Sequence, residues 1–166
     1  LFSGIGGFAL AAQWCGIQTI AFVEKDEAAS RILAHHFPGI RNLKDVTKLC
    51  LRCYDCEQYE SDDSGEIVWC HRCEAEFGDC ECIGTDAFVD EYGFPDLITG
   101  GVPCQPASLL GAPQGGRLGT ADERWLWPDT IRIVSELMPR YCVFENPTAI
   151  LTLEQGRAWN GIVSDF

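Results

Sequence analysis

Cys104 stands between Pro103 and Gln105-Pro106, and two prolines this close to one thiol hold the sulfur at a fixed point. An arbitrary free cysteine is an inert buried hydrophobe. The flanking prolines, the position just after a strand-like run and a facing Glu145-Asn146 instead mark Cys104 as a nucleophile. A second polar set opens the chain. Phe2-Ser3-Gly4-Ile5-Gly6-Gly7 puts three glycines in four positions ahead of a helix, so the backbone turns tightly and a ligand can approach closely. The spacing is not Gly-x-Gly-x-x-Gly, and a phosphate cradle is not implied. Glu24, after the next strand, is placed to accept hydrogen bonds from ribose hydroxyls. Together these point to a nucleoside cofactor; the alternative is a tight turn beside an exposed acid.

The third set is metal-like. Cys53-x-x-Cys56, thirteen residues, then Cys70-x-x-Cys73 has the spacing of a four-cysteine zinc ribbon, with Glu66–Trp69 as the strand between the pairs. A redox Cys-x-x-Cys is the alternative. Cys50, Cys80 and Cys82 are surplus; they complete a second site, with His71 available, or exchange with the first set. Seven of the ten cysteines fall within 33 residues. That clustering favours metal in a reducing, cytoplasmic compartment over a disulfide scaffold. Cys15 and Cys142 read as core packing. His35-His36 lack ligands at useful spacing, and Trp125 and Trp127 read as packing residues rather than base-stacking ones.

These groups need a frame. The pattern predicts a helix over Phe8–Trp14 ended by Gly16, a buried strand over Thr19–Val23, and a helix over Ala28–Phe37 stopped by Pro38-Gly39. It breaks over residues 50–92, which are rich in cysteine and acid with little helical period. It resumes with a strand over Pro95–Gly100 and a Gly-rich loop over 107–122. A helix follows from Pro128, with Ile131, Val134, Leu137 and Met138 on its apolar face, and then a strand over Tyr141–Phe144. This order is that of an α/β fold with a parallel sheet. Glu24, Cys104 and Glu145 each fall just past a strand's C-terminal end, the edge at which open α/β sheets bind ligands.

The chain of 166 residues suffices for one core, and its 46% hydrophobic content is that of a globular protein. No apolar run approaches the ~18 residues of a membrane span. The formal net charge of −13 is awkward for a protein that grips phosphates. Residues 50–91, however, hold 13 acidic and 2 basic side chains, so the body around them is nearly neutral.

In this order, Phe2–Gly7, Glu24, Asp45-Val46, Gly100–Pro106, Asp122-Glu123-Arg124 and Glu145-Asn146-Pro147 resemble the motifs of C5-cytosine DNA methyltransferases. The resemblance covers essentially the whole chain outside residues 50–92. It implies a three-layer, Rossmann-like α/β sheet of the S-adenosylmethionine-dependent methyltransferase type, interrupted by a small zinc-ribbon-like insertion. Residues 1–49 would be the cofactor-binding half of the catalytic domain, 50–92 the acidic insertion, and 93–166 the catalytic-loop half. S-adenosylmethionine would be held by Phe2, Ser3, Gly4, Ile5, Gly6 and Gly7, with Glu24 on the ribose. Asp45 and Val46 would meet the adenine, Leu126 would pack near it, and Lys25 and Pro103 would also touch the cofactor. Cys104 would attack C6 of a cytosine flipped out of double-stranded DNA. Glu145 would hydrogen-bond its N3 and amino group, C5 would take the methyl group, and loss of the C5 proton would release the cysteine.

Two positions depart from the family pattern: Ala107 where Phe is usual and Pro147 where Val is common. The family's Gln-Arg-Arg motif, target-recognition region and closing helix do not occur between Leu1 and Phe166, so the chain reads as a fragment, inactive alone. The insertion's charge disfavours phosphate binding; it is expected to staple its own excursion or to meet a protein partner. Three rival readings are RNA cytosine-5 methylation, a non-catalytic zinc and cofactor-binding module, and a redox-active cysteine protein.

Overall fold

The computed structural model describes residues 1–49, 59–61, 63–64, 67–70, 75–76, 85–103, 120 and 125–166. Helix α1 (Gly7–Trp14) rises directly from the glycine loop, with Gly6 as a left-handed N-cap at φ 96°. Strand β1 (Ala21–Phe22) leads to α2 (Glu27–His36), whose N-cap Asp26 accepts a hydrogen bond from Ala29 N at 2.7 Å. Then come β2 (Arg41–Asn42), β3 (Tyr59–Ser61), β4 (Ile67–Cys70), β5 (Ala75–Glu76) and α3 (Thr85–Tyr92). Strand β6 (Leu97–Gly101), α4 (Trp127–Leu137) and β7 (Tyr141–Glu145) follow. The chain then winds through 3-10 turns over Thr148–Gly156 into α5 (Arg157–Ser164).

The strands form small sheets of two kinds. β1 pairs parallel with β2, and β6 with β7, the latter in register from Leu97↔Tyr141 to Gly101↔Glu145. The Leu1–Ser3 segment lies between the two pairs: Leu1 N donates to Thr99 O at 2.5 Å and Ser3 N to Val23 O at 3.1 Å. Close passage there depends on Gly100, where a Cβ would sit 3.0 Å from Leu1 O and 3.3 Å from the Phe144 ring. β3, β4 and β5 form a separate antiparallel sheet, with Tyr59 opposite Cys70 and Trp69 opposite Glu76. The chain is thus mixed α/β with small parallel sheets, as the element order predicts.

The main core gathers Val23, Val46, Leu49, Phe88, Ile98, Ile133 and Leu137. Phe88 brings α3 onto this core, although the sequence around it shows little helical period. A second cluster (Ala9, Phe22, Leu33) fastens α1 and α2 to β1, and a third (Ile150, Leu153, Ala158) packs α5 on the turns before it. Leu33 and Ile133 are both 1% exposed; truncation of either to Ala should cost about 2–5 kcal/mol.

Three local expectations differ from the structure. The first strand shrinks to Ala21–Phe22, because β2 offers it only two partners. The inward face of α4 is Trp127, Thr130, Ile133 and Leu137; of the expected set Leu137 is buried and Val134 packs against the core, while Ile131 and Met138 lie off that face. Thr130 is tolerated there because its hydroxyl donates to Leu126 O at 2.8 Å, while Met138 is a left-handed C-cap (φ 43°) and lies 72% exposed. Cys15 is exposed, not packed, since it follows the last turn of α1. Cys142 does pack against the main core, and burial pushes its thiol up.

Candidate active site

The C-terminal edge of the parallel strands carries the polar groups. Two residues past β1, Glu24 turns back over the glycine loop: its Oε2 accepts from Gly4 N at 2.7 Å and its Oε1 from Asp26 N at 2.8 Å. Gly4 (φ 53°) and Gly6 (φ 96°) are both left-handed, which a side chain disfavours. At Gly6 a Cβ would also lie 2.6 Å from the Phe37 ring, whereas the space beside Gly4 is open. Ser3 Oγ accepts from Val23 N at 3.2 Å and locks the loop to the strand end. Phe2, itself at φ 50°, packs on the main core, while Ile5 is 64% exposed.

Lys25 Nζ meets Asp45 Oδ2 at 2.7 Å, and Thr47 donates from N and Oγ1 to Asp45 Oδ1. Burial pushes the Asp45 carboxyl up, but the hydrogen bonds from Lys25 and Thr47 outweigh it and hold the group below its ordinary value. Val46 sends its side chain into the core, and its carbonyl accepts from Arg132 of α4 at 3.3 Å. Leu126, the N-cap of α4, packs against that same core.

At the neighbouring strand ends, the last register pair of β6 and β7 is Gly101↔Glu145. The chain leaves β6 through buried Val102 and Pro103, and Asn146 Nδ2 donates to Val102 O at 3.0 Å. Asn146 Oδ1 is buried without a hydrogen-bond partner among the described residues. Beyond the Pro-Cys loop, Thr120 donates through N and Oγ1 to Glu154 Oε1 at 2.6 and 2.9 Å. Glu154 and Gln155 are consecutive left-handed residues, at φ 52° and 60°. The segment after β7 therefore holds the chain on both sides of residues 104–119.

The structure thus brings Gly4, Glu24, Lys25 and Asp45 into two bonded pairs at one sheet edge, and sets Glu145 beside the strand that leads to Pro103. Cys104 lies outside the described residues, as do Cys53, Cys56 and Cys73; Cys70 ends β4, with only its backbone described. Among the described residues no group of three or more His, Cys, Asp or Glu is arranged to hold a metal ion, and no helix is long and apolar enough to cross a membrane. A cavity of about 640 Å³ opens at the opposite edge, between the starts of β1 and β6. Its walls are mainly aliphatic and aromatic, and Glu24, Asp45 and Glu145 are not among them. Asn42 and Ser30, which hydrogen-bond around Glu24, escape the motif reading. The available signal was a polar residue on the inward face of α2 and an Asn ahead of a turn.

Comparison with known proteins gives a consistent picture. The model of the C-5 cytosine-specific DNA methylase family matches residues 1–62 and 56–166. The type II methyltransferase M.HgiCII of Herpetosiphon aurantiacus is 26% identical over 170 residues, covering 100% of this chain and 29% of that protein. The DNA (cytosine-5-)-methyltransferase M.ApeKI of Aeropyrum pernix is 29% identical over 167 residues, 100% of this chain and 32% of that protein. The type II methyltransferase M.AplI of Arthrospira platensis is 30% identical, over 91% of this chain and 31% of its own. The chain spans about a third of the length of these relatives.

Proposed function

Since the chain belongs to the C-5 cytosine-specific DNA methylase family, we propose that it is the catalytic portion of an enzyme that methylates C5 of cytosine in double-stranded DNA, as in restriction–modification. The observation that best supports this reading is the parallel register ending at Gly101↔Glu145, with Asn146 bonded to Val102 O. A carboxyl and the root of the Pro103-Cys104 loop stand side by side at the ligand edge of the sheet. The family's description and the name of the Aeropyrum pernix relative favour DNA over RNA as substrate.

The residues present fit S-adenosylmethionine. Left-handed Gly4, with open space at its Cα, and the Glu24 carboxylate beside it form a cradle with a diol acceptor. When bound, the cofactor supplies an electrophilic methyl group. Gly4–Gly7 and Glu24 hold its nucleoside, Asp45 and Val46 border the adenine, and Lys25, Leu126 and Pro103 complete the contacts. Cys104, as thiolate, adds to C6 of the flipped base and moves an electron pair towards C5. Glu145 stabilises that charge by holding a proton at N3 and accepting from the amino group. C5 then takes the methyl group; a base removes the C5 proton, and the returning electron pair expels the thiolate.

Cys53, Cys56, Cys70 and Cys73 bind zinc in an insertion spanning residues 50–92. The antiparallel β3–β4–β5 sheet, with Cys70 closing β4, supports a ribbon there. Around it, residues 1–49 and 93–166 form the two halves of one three-layer domain of a cytoplasmic protein, and the acidic insertion staples its own excursion or meets a protein partner, its charge disfavouring DNA phosphates.

The deciding experiment incubates the full-length protein with S-adenosylmethionine and DNA carrying 5-fluorocytosine. Fluorine cannot leave as the proton does, so the enzyme traps itself in a denaturation-resistant adduct. An adduct in the parent and none in Cys104→Ala is expected. Its absence over DNA of varied sequence, with cofactor binding verified, would overturn the reading.

A further inference from the structure

We propose that Asn42 is a positioning residue for the cofactor's ribose, holding Glu24 in the orientation that receives the ribose hydroxyls; this rests on the cofactor reading above. An Asn side chain offers two acceptor lone pairs and two donor hydrogens. At Asn42 all four are used. Oδ1 accepts from Glu24 N at 2.9 Å and from Lys44 N at 3.0 Å; Nδ2 donates to Glu24 O at 2.9 Å and to Ser30 Oγ at 2.9 Å. Ser30, 8% exposed on the inner side of α2, closes the ring by donating to Glu24 O at 3.1 Å.

Two of the four bonds reach the N–H and C=O of the same residue. The amide thereby acts as one further peptide of a β-bridge, past the last backbone pair Phe22↔Asn42. It holds the Glu24 backbone where the two carboxylate oxygens meet Gly4 N and Asp26 N. Each carboxylate oxygen takes one of these bonds and keeps a second acceptor direction, which suits a vicinal diol read by both oxygens at once. The bond to Lys44 N shapes a turn in which Lys44 is left-handed (φ 67°), and that turn leads into Asp45 and its pair with Lys25. One amide therefore sets the backbone around both carboxylates of the cofactor edge. An Asp at this position would keep the shape and lose both donors.

The test measures binding of S-adenosylhomocysteine and of its 2′-deoxyribosyl analogue to the full-length protein by calorimetry. Loss of a hydrogen bond to a charged group predicts a parent preference for the ribose form of roughly tenfold or more. In Asn42→Asp and Asn42→Ala that preference should fall to within about twofold, through weaker binding of the ribose form alone. Ser30→Ala, which deletes one hydroxyl and leaves the amide, should lie between parent and Asn42 variants, and it decides the matter if the Asn42 variants do not fold. An unchanged preference in the variants that bind, or an equal loss for both ligands, is what a purely structural role produces and would overturn the proposal. A parent that binds neither ligand would instead sink the cofactor reading, and a parent that binds both equally would remove the ribose role of Glu24.

Discussion

Glu24 and Glu145 stand at the same edge of the strands, one just past β1 and the other closing β7, yet they are held in different ways. The Glu24 carboxylate is tied by two backbone amides and its own backbone by a side-chain amide from β2. Among the described residues Glu145 is positioned through its strand: its peptide is in register with Gly101, its side chain is exposed, and its carboxylate meets no hydrogen-bond partner there. A group that binds a diol gains from being fixed in advance, since ordering it at binding would cost affinity. A group that receives a base swung out of a duplex has to stay open until the base arrives. On the function proposed above, the two carboxylates would separate pre-organised binding from late engagement.

The largest effect that sharpens this contrast is on turnover. Glu145→Gln should lower the methylation rate by about 10²–10⁴-fold while cofactor affinity, measured by titration, stays at the parent value. A parallel fall in affinity would show that the two ends act as one site. Next come the glycines. Gly6→Ala meets both a left-handed backbone and the Phe37 ring at 2.6 Å, and should cost about 2–4 kcal/mol in denaturant unfolding. Gly101→Ala brings a methyl group only to 3.7 Å from Glu145 Oε2, an ordinary contact, and should change stability by less than about 1 kcal/mol. Equal losses at the two positions would erase the difference between a sterically set loop and a register-set strand.

The smallest effect concerns pH. The folded-state pKa of Asp45 is depressed, so the ion pair with Lys25 contributes fully above the unfolded carboxylate pKa. The contribution fades as pH falls through the lower folded value. Lys25 is 77% exposed, so the pair is worth at most about 1 kcal/mol. Asp45→Asn should flatten the acid limb of the stability curve below roughly pH 4 and leave the Glu145 reaction step unaltered. A steeper acid limb in the variant would contradict that assignment.

Much of the frame is legible in the residues themselves. Gly16 and Pro38-Gly39 end helices where the pattern places their ends, and Pro128 sits in the first turn of α4. The carboxylates fall at strand ends as the apolar runs predict. The face of α4 is less legible, because Thr130 looks polar and is the most buried residue of the helix once its hydroxyl finds the Leu126 carbonyl. α3 has a weak period, and among the described residues Phe88, Val89 and Tyr92 carry its packing on the core. Val46 belongs to the Asp45-Val46 motif, yet its side chain serves the core.

By itself the sequence determined the punctuation of the chain, the glycine loop, the acids at the strand ends and the cysteine pairs, because the backbone limits of Gly and Pro and the period of apolar residues are local properties. Only the tertiary structure decided what holds those groups. Asn42 grips Glu24 across 18 positions of sequence, and Leu1 meets Thr99 across 98. Such bonds exist only once sheet order and register bring distant backbone groups within 3 Å or so, a distance that no local pattern encodes.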